Sequence, residues 1–274
     1  MLENEIMKAL CIGFGLGNMT IYHTGTEGVS NKKYRVTTDR GIYFVKVVKN
    51  IPPERIEYIS DIEQYMKSGG IPAIAMLKSV SGHHWLYLGD YKYIVYPYIE
   101  SDRSHKYSEN DYEQIGNMLA KMHWVGQKDV PPRFFRDFSI KSKVKDTVIH
   151  GDFHPGNILF DPKTRKIVGI CDWEKSQYGS RASDLVNTLI YTNFRNNYIY
   201  ESAMENMRIM FKAYNTEFPI SHPEIMEGFD TLLCLATSSS LIANEEAQER
   251  QKKIIKLCVE GRIQNDLLGG SYSQ

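Results

Sequence analysis

The pattern of apolar residues changes character once along this chain, near Tyr96 to Glu100, and that change restricts the fold more than any other feature. Before it, NMTIYHT, KKYRVTT and IYFVKVV are rich in β-branched and aromatic residues and are separated by GTEGVSN and DRG, the pattern of a three-strand antiparallel meander. PPERIEYISDIEQYMKSGG follows, with prolines to open a helix, apolar residues at 56, 59, 62 and 66, and glycines to close it. HHWLYLG and YKYIVYPYI add two more strands. Beyond residue 100 the spacing is mostly helical. YSENDYEQIGNMLAKMHWVG places Ile115, Met118, Leu119 and Met122 on one face behind a SEND cap, and helical stretches dominate from 181 to 264 with a break at NTEFPISHPE. The glycines of GFGLGN, 13 to 18, do not make the dinucleotide-binding spacing and follow no strand, so they read as a helix end. The expected fold class is α+β, with a small antiparallel-sheet lobe over residues 1–96 and a larger, mostly helical lobe over residues 97–274.

A chain of 274 residues is long enough for one large domain or two packed lobes. Lysine plus arginine equal aspartate plus glutamate at 33 each, so no overall field draws nucleic acid or an anionic membrane. MLENEIMKAL carries acids where a secretory signal needs a basic start, and DTLLCLATSSSLIA falls short of the roughly 20 apolar residues of a membrane span. The expected location is the cytoplasm, with no membrane partner. Cys11, Cys171, Cys234 and Cys258 are scattered without a C-x-x-C pair, which suggests reduced thiols and neither a zinc site nor a disulfide framework.

HGDFHPGNILF, residues 150 to 160, concentrates chemistry. After Asn157 the sequence runs ILF, the polar turn DPKTRK and then IVGICDW, two short apolar runs that read as a β-hairpin. In such a hairpin the residue entering the first strand and the residue leaving the second lie at the same end, so Asn157 and Asp172 are expected to be neighbours, with Asp152 in the loop just before. Two carboxylates and an amide oxygen are hard ligands suited to Mg2+. A site so sparse suits an ion that also holds substrate phosphates, which points to phosphoryl transfer. The bland reading makes His-Gly-Asp a turn and Asp172 a cap for the following segment. A zinc reading would use His150, Asp152 and His154, although Pro155 and Gly156 argue for a turn and no further histidines complete a tetrahedral set.

VIHGDFHPGNILF and GICDWEKSQYGSRASDL resemble the aminoglycoside phosphotransferase and choline kinase superfamily, small-molecule kinases with a protein-kinase-like two-lobe fold, and the resemblance runs from about residue 14 to 190. It implies that Asp152 orients or deprotonates the acceptor hydroxyl, that Asn157 and Asp172 hold magnesium, and that Lys46 in YFVKVV meets the nucleotide phosphates. GTEGVSNKKY would supply the phosphate-covering turn, with Gly28, Ser30 and Asn31 against the phosphates. YIVYPYIES matches the hinge that meets adenine: Tyr96 would guard the pocket, Pro97 would offer a carbonyl and Ile99 an N–H. The family usually sets a helix glutamate opposite the strand lysine. Here the register lands on Ile59, leaving Glu63 and Glu57 as candidates for that ion pair. His150 and His154 would buttress the loop, and Asp184 would brace it. The segment from Trp173 to Asp184 is short for a regulated activation loop, which favours a small-molecule acceptor.

Residues 201–250 contain nine acids (Glu201, Glu205, Glu217, Glu224, Glu227, Asp230, Glu245, Glu246, Glu249) against three bases (Arg208, Lys212, Arg250), so a cationic acceptor would be attracted if some of them line its site. Trp173, Tyr191 and Tyr198 offer rings for cation–π contact. The function expected is Mg2+-dependent transfer of the γ-phosphate of ATP or GTP to a hydroxyl of an aminoglycoside-like acceptor, in antibiotic resistance or in metabolism. Choline, ethanolamine or thiamine are alternative acceptors. Rival readings are a catalytically silent binding protein of kinase fold and a metal-dependent hydrolase using the two histidines.

Overall fold

The computed structural model describes residues 3–25, 32–102, 106–135, 144–194, 199–238 and 245–269. The chain divides into two compact units, Met1–Ser101 with Val168–Glu174, and Asp102–Ile167 with Lys175–Gln274.

The first unit contains α1 (Glu3–Gly13), β1 (Met19–Thr24), β2 (Lys33–Thr38), β3 (Gly41–Val48), α2 (Pro53–Ser68), β4 (Leu86–Leu88) and β5 (Tyr91–Pro97). The strands form one sheet in the order β1-β2-β3-β5-β4, antiparallel at every pairing. Alternation along the strands decides which side each residue serves. Tyr34, Val36, Val45, Val47, Tyr93 and Val95 share one face and join Met7, Leu10 and Cys11 of α1 in a core. Lys46 lies opposite Ile94 and Phe44 opposite Tyr96, and so they belong to the other face. The helix α2 serves that other face: Ile56, Ile59, Ile62 and Met66 are buried, and Glu63 accepts a hydrogen bond from the Tyr96 hydroxyl. Pro53 stands at its first turn and Gly69 ends it, as the sequence predicts.

The GFGLGN stretch is a helix end, with Leu16 N–H donating to the Cys11 carbonyl at 2.8 Å. Gly17 has φ +88°, and a Cβ there would fall 2.0 Å from Asp39 Oδ1, so a side chain would strain the backbone and displace Asp39. HHWLYLG forms less strand than its composition predicts. Its first residues are held by Glu57, which accepts from His84 N–H at 3.0 Å and lies 2.5 Å from its ring, and the ladder is left with three residues. Residues 168–174 join this unit because Ile170 bridges Ala73: Ile74 N–H donates to Ile170 O at 2.9 Å and Ile170 N–H to Pro72 O at 2.8 Å.

The second unit opens with α3 (Glu109–Val125). Ser108 caps it in a reciprocal box with Asp111, so the predicted start of this helix is met by side-chain chemistry as well as by periodicity. Then come β6 (Thr147–Ile149), β7 (Ile158–Phe160), the turn over residues 161–166, and β8 (Ile167–Ile170), whose last three residues carry the chain back into the first unit. The turn is tight: Asp161 Oδ1 accepts from the N–H groups of Lys163 and Thr164, and Asp161 N–H donates to Lys166 O. Arg165 at its tip forms ion pairs with Asp102 and Asp111. After β9 (Gln177–Gly179), which pairs antiparallel with β6, the chain is helical: α4 (Arg181–Asn193), α5 (Tyr200–Glu217), α6 (His222–Ser238), α7 (Glu245–Val259) and α8 (Arg262–Leu268). Close packing of α3 on α5 depends on Gly116, where a Cβ would sit 2.3 Å from the Met210 carbonyl oxygen. Among the described residues no helix is long and apolar enough to cross a membrane.

Candidate active site

In the second unit the chain leaves the fully buried strand β6 and enters a loop whose shape is set by short-range hydrogen bonds. Gly151 adopts φ +78°, and a Cβ there would lie 2.6 Å from the carbonyl oxygen of Lys175, so the turn needs glycine on both counts. His150 Nδ1 accepts from Asp152 N–H at 3.2 Å, and His154 Nδ1 accepts from Gly156 N–H at 3.0 Å, capping the short helical turn Pro155–Asn157. The Asn157 amide nitrogen donates to the Asp152 carbonyl at 2.9 Å, which ties the two ends of the loop and orients the amide. Phe153 is buried between them in sequence and anchors the loop to the interior. The Asp152 carboxylate is partly exposed and lies 3.0 Å from Lys175 Nζ.

Beneath this loop is a buried network. Asp184, on the first turn of α4, accepts from His150 N–H at 3.0 Å, from Gly151 N–H at 2.9 Å and from the His123 ring at 3.1 Å. A carboxylate only accepts, so the imidazole donates from Nε2, and its Nδ1 faces the Tyr214 hydroxyl at 2.8 Å. Burial pushes the Asp184 carboxyl up, but the hydrogen bond and charge of His123 and the His150 N–H outweigh it and hold the group below the usual carboxylate value. Asp184 therefore braces the loop, as its place in SRASDL suggested. His123 and Tyr214, separated by 91 positions, carry no sequence signal that would pair them.

In the first unit Lys46 is buried at 7% exposure. Its Nζ lies 3.0 Å from Asp172 Oδ1 and 2.5 Å from Glu174 Oε1. Burial works against the ammonium, and the two carboxylates more than offset it, so Lys46 holds its proton above the ordinary lysine range. Asp172 takes φ +65°, a left-handed backbone that non-glycine residues seldom adopt. Sequence reasoning placed Lys46 and Asp172 but assigned nothing to Glu174 or Lys175, which flank the same DWEK motif.

Neither helix glutamate pairs with Lys46. Glu63 is fully buried and accepts from Met76 N–H at 2.9 Å and from the Tyr96 hydroxyl at 3.1 Å. Burial raises its carboxyl to about 8, so that at neutral pH it is mostly protonated. Glu57 is engaged with His84. Both belong to other hydrogen-bond systems, and Glu63 feels the charge of Lys46 without forming an ion pair with it.

Tyr96 is buried at the end of β5, Pro97 is its last residue, opposite Tyr43, and Tyr98 N–H donates to Ile42 O. The Ile99 N–H has no hydrogen-bond partner among the described residues. Asp152 and Asn157 fall in the second unit and Lys46, Asp172, Tyr96, Pro97 and Ile99 in the first. Gly28, Ser30 and Asn31 lie outside the described residues, as does Tyr198. Trp173 is fully buried and its indole N–H donates to Ile170 O, so it is a core residue and not a platform for a cationic acceptor; Tyr191 is half exposed. Glu224, one of the acids of the C-terminal half, pairs with Arg181 at 2.8 Å. Among the described residues no three His, Cys, Asp or Glu side chains converge as a metal site, and His150 and His154 each accept a backbone N–H at Nδ1.

A five-stranded antiparallel sheet carrying a buried lysine among carboxylates, followed by a helical unit with a His-Gly-Asp loop, defines the class of phosphotransferases with a protein-kinase-like fold. The chain belongs to the phosphotransferase enzyme family, whose model matches residues 24–143 and 140–216. This is the superfamily that the HGD and DWE motifs resemble. The fold matches an amicoumacin kinase in complex with AMP-PNP, Ca2+ and Ami at TM-score 0.69 and 14% identity, covering 95% of this chain and 94% of that one. It also matches a spectinomycin phosphotransferase in complex with ADP and spectinomycin at TM-score 0.58 and 14% identity, covering 96% and 99%. In sequence, the chain is 34% identical over 86 residues to acyl-CoA dehydrogenase family member 11 of Mus musculus, a stretch that is 31% of this chain and 10% of that much longer protein.

Proposed function

We propose that the protein transfers the γ-phosphate of ATP or GTP to a hydroxyl of a small molecule, with an aminoglycoside-like acceptor as the leading substrate class. The observation that carries this reading is the loop around Asp152: a partly exposed carboxylate on a backbone fixed by Asp184, His150 and Asn157. In this reading Asp152 takes the proton of the acceptor hydroxyl. The hydroxyl oxygen forms a bond to the γ-phosphorus as the bond to the β–γ bridging oxygen breaks, and the nucleoside diphosphate leaves. Lys175, 3.0 Å from Asp152, adds positive charge where the phosphoryl group accumulates negative charge.

In this reading the first unit, Met1–Ser101 with Val168–Glu174 in place of the expected 1–96, binds the nucleotide, and the second, in place of the expected 97–274, carries the catalytic loop and binds the acceptor. Lys46 meets the phosphates, with Gly28, Ser30 and Asn31 covering them. Pro97 O and Ile99 N–H meet adenine or guanine behind Tyr96, and the unpartnered Ile99 N–H supports that assignment. Asn157 and Asp172 offer the hard oxygen donors that Mg2+ prefers, and the ion when bound offsets phosphate charge. An antibiotic-like acceptor is supported by the two kinases of similar fold, described as bound to Ami and to spectinomycin. A cytoplasmic setting, where both nucleotides are abundant, suits the reaction.

The test is acceptor-dependent release of ADP or GDP across amino sugars, amino alcohols and vitamins, with Mg2+ present. Asp152→Asn should lower turnover by on the order of a hundred- to ten-thousand-fold while nucleotide affinity holds. Near-normal turnover in that variant would remove Asp152 from its role. Nucleotide binding without turnover on any acceptor would leave the silent binding protein as the better reading.

A further inference from the structure

We infer that Glu174, and not a glutamate of α2, is the residue that positions Lys46 for the nucleotide. The inference rests on the reading that Lys46 meets the phosphates. A buried ammonium is expensive unless it is paired, and Lys46, at 7% exposure, is paired twice, with Asp172 at 3.0 Å and with Glu174 at 2.5 Å. Glu174 makes the closer ion pair, and the hydrogen bond of the ammonium goes to Asp172. Its reach is also fixed from behind. Arg55 on α2 donates to the Glu174 carbonyl at 2.8 Å, the neighbouring Trp173 is fully buried with its indole N–H on Ile170 O at 3.0 Å, and Ile170 is hydrogen-bonded to residues 72 and 74.

The alternatives are occupied elsewhere. Glu63 is committed to Met76 N–H and the Tyr96 hydroxyl, and Glu57 to His84. The helix that would ordinarily present its carboxylate to the strand lysine presents Arg55 to the backbone of the segment that carries the carboxylate. The same two elements remain coupled, with the acid moved from α2 to the DWE strap. Lys46 can then keep a carboxylate partner on Glu174 when phosphate oxygens approach.

A double-mutant cycle tests this, read both as ADP affinity by calorimetry and as the nucleotide KM against kcat. Glu174→Gln should weaken ADP binding and raise nucleotide KM by about tenfold, with a smaller change in kcat, because the lysine is misplaced before chemistry begins. Glu174→Asp, which keeps the charge on a shorter arm, should recover part of the loss. Glu174→Gln placed on Lys46→Met should add nothing further, since a residue that acts only through Lys46 has nothing left to position. Glu63→Gln should leave KM within about twofold of the parent.

Losses that multiply in the double variant, or a Glu63→Gln loss equal to that of Glu174→Gln, would overturn the assignment to Glu174 while leaving Lys46 in place. Unchanged ADP affinity and KM in Lys46→Met would overturn the phosphate role of the lysine itself, and the positioning role with it. If Glu174→Gln does not fold, the cycle runs on Glu174→Asp with the same two readings.

Discussion

Around Asp152 the chain satisfies itself over short separations, with His150, His154, Gly156 and Asn157 bonding to partners two to five residues away. Around Lys46 it joins residues 126 positions apart, through charge instead of backbone hydrogen bonds. The loop's main long-range tie, Asp184, is fully buried, with Asn187 also donating to the Gly151 carbonyl and Lys175 pairing with Asp152; the lysine cluster's ties, Asp172 and Glu174, are both partly exposed. The difference separates two tasks. The proposed base must keep one geometry through every turnover, which suits hydrogen bonds to a carboxylate sealed from water. The proposed phosphate-binding lysine must exchange partners as nucleotide comes and goes, which suits charges within reach of solvent.

The sharpest way to break the contrast is Asp184→Ala. It strips three donors of their acceptor in a buried place, the His123 ring and the N–H groups of His150 and Gly151, and should destabilise the protein by about 3–5 kcal/mol. Urea unfolding measures it; a loss below about 1 kcal/mol would mean the loop does not depend on Asp184.

A smaller effect is expected from Glu63→Gln, read as stability against pH. Below its ordinary value near 4.5 Glu63 is protonated in both states and contributes no slope; between there and about 8 the unfolded chain releases a proton that the fold retains, so stability falls as pH rises; above about 8 the profile levels. Glutamine cannot titrate. The variant should therefore show a flatter profile, the parent losing on the order of a few kcal/mol relative to it between pH 4.5 and about 8. Melting temperatures across that range provide the check, and parallel curves for the two proteins would show that Glu63 titrates normally.

The smallest effect on stability is expected from Lys175→Ala. Its ion pair with Asp152 is exposed on the lysine side, and its removal should change stability by less than about 1 kcal/mol. Turnover should fall, though less than in Asp152→Asn. Equal turnover with and without the lysine would make the pair a surface contact only.

Much of this was legible because it is local. The strands of the meander, the apolar stripe of α2, the Ser108 cap and the turn glycines each follow from neighbours within one turn or one hairpin. The trimmed β4 strand was not, because Glu57 reaches it from another element. Asp152, Asn157 and Asp172 stood out through their motif spacing, and Asp184 through SRASDL. Glu174 and Lys175 sat in plain view in DWEK but looked like any acid and base on a polar surface. The expected ion pair with a glutamate of α2 is not formed because Glu57 is taken by His84 and Glu63 ends beside Tyr96, where burial keeps it protonated.

By itself, the amino-acid order determined the change from a strand-rich to a helix-rich half, the family and the turn of the His-Gly-Asp loop, because periodicity and turn chemistry act between near neighbours. Only the tertiary structure decided which acid holds Lys46, that His123 and Tyr214 stand behind Asp184, and that Trp173 is core. Those choices turn on side chains meeting across long stretches of chain, where burial and charge, and no local pattern, select the partner.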